Sequence, residues 1–80
     1  PDVFLFAAQE LGLSPDECII IEDSENGVLA AKAAGIPCVG YINPDSGKQD
    51  LSAADILVEG FEEIDEEFMV RVWKRAHGEP

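Results

Sequence analysis

Apolar positions along the chain change their spacing several times, and each change predicts an element. Val3, Phe4, Phe6, Ala7, Ala8 and Leu11 recur at three- and four-residue steps up to Gly12, the period of a helix with one buried apolar face. Asp2 stands where it can cap that helix. Ser14-Pro15-Asp16-Glu17 then has the form of a capping box with proline at the first helical position, but the unbroken run Cys18-Ile19-Ile20-Ile21 follows at once. A short turn therefore gives way to a strand over 18–21. A β-branched run without polar alternation fits a strand covered on both faces, as in a parallel sheet flanked by helices.

The strand ends abruptly in Glu22-Asp23-Ser24. From about Glu25 or Gly27 to Ala34 the pattern is helical, closed by Gly35 and by Pro37 soon after, and its alanines allow close packing on a sheet. Cys38-Val39-Gly40-Tyr41-Ile42 reads as a second strand, so the order strand, helix, strand requires a right-handed parallel crossover. Asn43-Pro44-Asp45-Ser46-Gly47 carries turn signals and opens a polar loop to about Ser52. Ile56-Leu57-Val58 is a third strand. A last helix over about 65–76 places Glu66 and Glu67 in its first turn and Arg71, Lys74 and Arg75 near its end, matching the helix dipole. Phe68, Met69, Val72 and Trp73 form its expected buried stripe. The fold class is α/β, a partial Rossmann-like three-layer core with a parallel sheet of about three strands flanked by helices.

Composition narrows the function classes. Seventeen acidic against five basic residues give a formal net charge of -12, a field that repels nucleic-acid phosphates and anionic membranes. Nucleic acid and membrane partners are therefore not expected, and no apolar run approaches the roughly 20 residues of a membrane helix. The charge also suits a well-solvated surface and by itself names no substrate. Cys18 and Cys38 each head an apolar run and lack the paired short spacings of a zinc site, so both are read as buried, reduced thiols in a cytoplasmic protein. Pro1 opens directly onto an amphipathic pattern, and the natural chain is expected to extend upstream.

The candidate chemistry lies in the acidic pair. Ligands of open parallel α/β sheets gather beyond the carboxyl ends of the strands, where Glu22 and Asp23 fall. Two carboxylates at about 4 Å repel by about 4 kcal/mol at an effective dielectric near 20, so such a pair calls for a cation or a shared proton. Mg²⁺ suits it, because this hard ion takes one or two carboxylates and completes its shell with water and phosphate oxygens. Phosphoryl transfer is the chemistry that goes with such a site. The bland alternative is a solvated turn, and ideal alternation would send the two neighbours to opposite faces. Ser24 can cap the next helix, and with Gly27 it shapes the edge of the site.

The longer string from Ile19 to Gly35, IIIEDSENGVLAAKAAG, resembles the fourth motif of haloacid dehalogenase-like phosphatases and phosphomutases. Glu-Asp-Ser with glycine three residues after the serine is most similar to the β-phosphoglucomutase-like branch. Pro1-Asp2-Val3-Phe4 resembles the segment after that family's third-motif lysine, and Ala54-Asp55-Ile56-Leu57-Val58 a late strand of the same core. The resemblance implies that residues 1–80 are the carboxy-terminal portion of a core domain, with the upstream core and cap domain absent. It implies Asp23 as a direct Mg²⁺ ligand with Glu22 as its supporting partner, and Ser24 and Gly27 at the edge of the phosphate site. The family's lysine would fall before Pro1, and Lys32 and Lys48 do not match it. The nucleophilic and acid/base aspartates belong to motifs this sequence lacks, so no catalytic residue is assigned.

The function so implied is part of a Mg²⁺-dependent phosphatase or phosphomutase acting on a small phosphate ester such as a sugar phosphate. The chain would need the upstream core segment of the same protein, and alone it is expected to be inactive and to bind Mg²⁺ weakly. The alternative is a non-catalytic receiver-like phosphoacceptor or an interaction module. Against the former, Asp55 precedes its strand and Lys74 lies inside a helix.

Overall fold

The computed structural model describes residues 2–79. Three parallel strands, β1 (Ile20–Glu22), β2 (Cys38–Tyr41) and β3 (Ile56–Val58), lie side by side in chain order, with Ile20 opposite Cys38 and Val39 opposite Ile56. Helix α1 (Asp2–Glu10) precedes β1, α2 (Glu25–Ala33) links β1 to β2, and α3 (Glu66–Ala76) follows β3. Single 3₁₀ turns occupy Pro15–Glu17, Pro44–Ser46 and Phe61–Glu63. This is the expected α/β architecture.

The alternation of side chains along the strands builds a core on each face. On one face Val28 and Ala31 of α2 are buried against Cys38 and Leu51, with Phe4 of α1 and Ile20 packed beside them. On the other, Phe68 and Val72 of α3 close over Val39 and Val58. Ala31 is fully buried, consistent with small residues bringing α2 close to the sheet. Gly35 ends the helix at φ +73°, a left-handed conformation that glycine adopts without strain. Burial raises the Cys38 thiol to about pKa 11, with the negative charge of Asp55 adding to the effect. Both cysteines are free, as expected, although Cys18 is only half-buried.

Several expectations are corrected. β1 starts at Ile20, because Cys18 still closes the preceding turn through Pro15 O and pairing begins only where the Ile20 amide donates to Pro37 O at 2.8 Å. Asp2 is already helical, so it does not cap α1. Of the apolar residues of α1 only Ala8 is buried, while Val3 and Leu11 are 73% and 71% exposed. Trp73 leaves the buried stripe of α3: it is partly exposed, stacks on His77 with ring centroids 4.0 Å apart, and donates to Asp16 O at 3.2 Å. Among the described residues no helix is long and apolar enough to cross a membrane.

Candidate active site

The site grows from the place where β1 gives way to α2. Glu22 is the last residue of the strand and shares the face of Ile20, which points it toward α2. There its Oε1 accepts from the Asp23 amide at 3.1 Å, the Ser24 amide at 3.3 Å and the Ser24 hydroxyl at 3.2 Å. A bent-back carboxylate at the start of a helix satisfies amides that no helical carbonyl reaches. Ser24 in turn caps α2, its Oγ accepting from the Gly27 amide at 3.0 Å. Gly27 has no side chain for a physical reason, since a Cβ there would overlap Cγ and Cδ of Glu22.

Asp23 takes a different direction. One step past the strand, its Oδ2 accepts from the Ser46 hydroxyl at 2.6 Å and from the Asn43 amide at 2.9 Å. These bonds, Ser46 first and Asn43 second, hold the Asp23 carboxyl below its ordinary pKa of 3.8 against a smaller opposing effect of burial. Asp23 is thus ionised at neutral pH. Both members of the pair are half-buried, and with Ile21, Tyr41, Asn43 and Phe61 they line a cleft of about 370 Å³. Asp23 and Asn43 also border a second cleft of about 310 Å³, lined further by Gln49 and Leu57.

The four residues singled out in the sequence, Glu22, Asp23, Ser24 and Gly27, therefore meet at the carboxyl end of the sheet. Asn43 and Ser46 carry only turn signals in the sequence, yet they are the side chains that grip Asp23. Their signal in the sequence was position: they follow the end of β2, the neighbour of β1, and so had to emerge beside it. Tyr41 and Phe61, with ring centroids 4.6 Å apart, add an aromatic wall that periodicity did not single out.

The arrangement fits a divalent cation in part. Asp23 offers an ionised oxygen ligand and Glu22 a second carboxylate beside it, which is what Mg²⁺ takes from a protein when water and phosphate fill the rest of its shell. No group of three or more His, Cys, Asp or Glu suited to a metal occurs among the described residues, so this chain supplies a partial shell.

A family model described as haloacid dehalogenase-like hydrolase matches residues 1–35. A β-phosphoglucomutase of Bacillus subtilis is 36% identical over 94% of the chain and 31% of its own length. Hexitol phosphatase A of Escherichia coli is 38% identical over 80% of the chain and 29% of its length. The crystal structure of a β-phosphoglucomutase from Clostridium difficile superimposes with a TM-score of 0.80 at 27% identity, covering 98% of this chain and 33% of that one. The chain belongs to the haloacid dehalogenase-like hydrolases, and its relatives include phosphatases and β-phosphoglucomutases. It spans less than a third of the length of these two curated relatives.

Proposed function

We propose that these residues form the acidic metal-binding part of a Mg²⁺-dependent phosphatase or phosphomutase that acts on a small phosphate ester such as a sugar phosphate. The observation that carries this reading is Asp23, an ionised carboxylate held by neutral donors at the strand tips beside a second carboxylate. Asp23 would be the direct ligand and Glu22 its supporting partner. When bound, the metal would supply charge neutralisation and orientation to the phosphate. Ser24 and Gly27 form the edge of the site, where the start of α2 favours an anion. The names of the relatives, a hexitol phosphatase and a β-phosphoglucomutase, support the substrate class.

On this reading residues 1–80 are the carboxy-terminal portion of a core domain, and nucleophile, acid/base and cap come from an upstream segment of the same protein. Ile21 is 42% exposed on β1, which has a neighbour on one side only among the described strands; with the exposed Phe6, it supports a further packing partner. The site is cytoplasmic in this reading, and the net charge of -12 disfavours nucleic acid and anionic membranes as partners. A receiver-like role is disfavoured by Asp55, which lies at the start of β3, at the opposite end of the sheet, and is paired with Lys32.

The test is turnover of sugar phosphates by the full-length protein with and without Mg²⁺. Asp23→Ala should lower the rate by at least about 100-fold, as expected when a metal ligand that stabilises transition-state charge is removed. Unchanged turnover in that variant would remove Asp23 from the mechanism.

A further inference from the structure

The loop after β2 does more than turn the chain. Asn43 caps the turn Pro44–Ser46 by accepting from the Asp45 amide through Oδ1 at 2.9 Å, which leaves its Nδ2 aimed at Asp23. Ser46 closes on the same carboxylate oxygen through its hydroxyl, and its own carbonyl accepts from Gln49 Nε2 at 3.1 Å. Gln49 then spans to the next element, its Oε1 accepting from the Glu25 amide at the first turn of α2 at 3.0 Å. A continuous run of hydrogen bonds therefore joins the start of α2, the loop and Asp23.

The chemistry of these partners is as telling as their geometry. The two side chains that reach Asp23 are neutral, so they orient it without cancelling its charge, as a lysine or arginine would. Both side-chain bonds fall on Oδ2, and no amide or hydroxyl side chain among the described residues donates to Oδ1. A carboxylate so held can present one oxygen in a fixed direction and keep its full charge for a cation.

We propose that Asn43 and Ser46 are positioning residues for Asp23, with Gln49 as the strut that holds their loop against α2. This inference rests on the reading of Asp23 as a Mg²⁺ ligand and adds residues that no motif marked. Partners that orient a metal ligand typically contribute 10- to 100-fold to metal affinity. Removing one neutral donor should therefore weaken Mg²⁺ binding without removing the ligand itself.

The experiment uses the full-length protein and calorimetric titration with MgCl₂, alongside the Mg²⁺ dependence of turnover. Ser46→Ala and Asn43→Ala should each raise the Kd for Mg²⁺ by about tenfold. Saturating Mg²⁺ should restore most of kcat, and Ser46→Thr, which keeps the hydroxyl, should bind nearly as the parent does. Gln49→Ala should give a smaller increase, about threefold, because it acts only through Ser46. Asp23→Ala in the same titration separates the two claims. If it abolishes binding while Ser46→Ala and Asn43→Ala bind Mg²⁺ like the parent, the positioning role is wrong and the ligand reading stands. If Asp23→Ala leaves binding unchanged, the ligand reading fails and this inference with it. Thermal melting of each variant distinguishes either outcome from a failure to fold, and melting far below the parent by both the alanine and the Ser46→Thr variants would mark the loop as structural support only.

Discussion

Asp23 and Asp55 are two aspartates at opposite ends of one small sheet, and the protein treats them in opposite ways. Asp55, at the start of β3, is almost closed off, with 7% of its side chain exposed; its Oδ1 meets Lys32 Nζ at 2.8 Å and its Oδ2 accepts from the Cys38 amide at 2.8 Å. Its charge is used up in joining β3, β2 and α2. Asp23, past the end of β1, is half-buried and held by an amide and a hydroxyl, with no lysine or arginine paired to it among the described residues. Its charge stays available. A carboxylate's partners thus distinguish a structural tie from a candidate ligand more sharply than its burial does.

The strongest challenge to that contrast is Asp55→Ala. It leaves the buried Cys38 amide without its acceptor and should cost about 1.5–3 kcal/mol, the range for a hydrogen bond to a charged group, whereas the half-exposed Lys32 adds little. Urea unfolding should show a midpoint well below that of the parent, and Asp23→Ala should move it less. The reverse order would break the contrast. Gly27→Ala probes the other carboxylate. Alanine is favoured in a helix by about 1 kcal/mol over glycine, but its Cβ would evict the Glu22 side chain, whose flexible end can swing away. Stability should therefore stay within about 1 kcal/mol of the parent while, on the proposed function, Mg²⁺-dependent turnover of the full-length protein falls by about tenfold. Full activity would show that the seat of Glu22 is dispensable.

The smallest effect is that of acid. Because Ser46 and Asn43 hold the folded pKa of Asp23 below its ordinary 3.8, this group adds stability above 3.8 and loses that contribution as the pH falls through the lower folded value. Between pH 6 and pH 2, the urea midpoint of the parent should thus decline more than that of Asp23→Asn, with the difference confined to about pH 4 and below. Parallel curves would mean that the two hydrogen bonds do not favour the charged form.

Much of the fold was legible because the relevant signals are local. The isoleucine run, Gly35 with Pro37, and the charge gradient of α3 each predict an element from adjacent residues, and the acidic pair is visible where the first strand must end. The grip on Asp23 was not legible, because Asn43 and Ser46 lie 20 and 23 residues away and meet it only through the parallel pairing of β1 and β2. Their own neighbours, Pro44 and Gly47, carry turn chemistry that accounts for them without reference to a carboxylate. The exposure of the apolar face of α1 escapes the sequence for a related reason. Periodicity reports that Val3, Phe6 and Leu11 share a helix face, but it is silent on what covers that face, and the described residues leave all three largely open.

The thiol of Cys38 gives the sheet a chemical clock. Thiolate is the reactive form, and the fully buried sulfur of Cys38, with its pKa near 11, offers almost none at neutral pH while β2 stays seated between α2 and its neighbouring strands. Alkylation at this one atom therefore counts openings of the central strand, and loss of the Asp55 tie beside it would make that clock run faster.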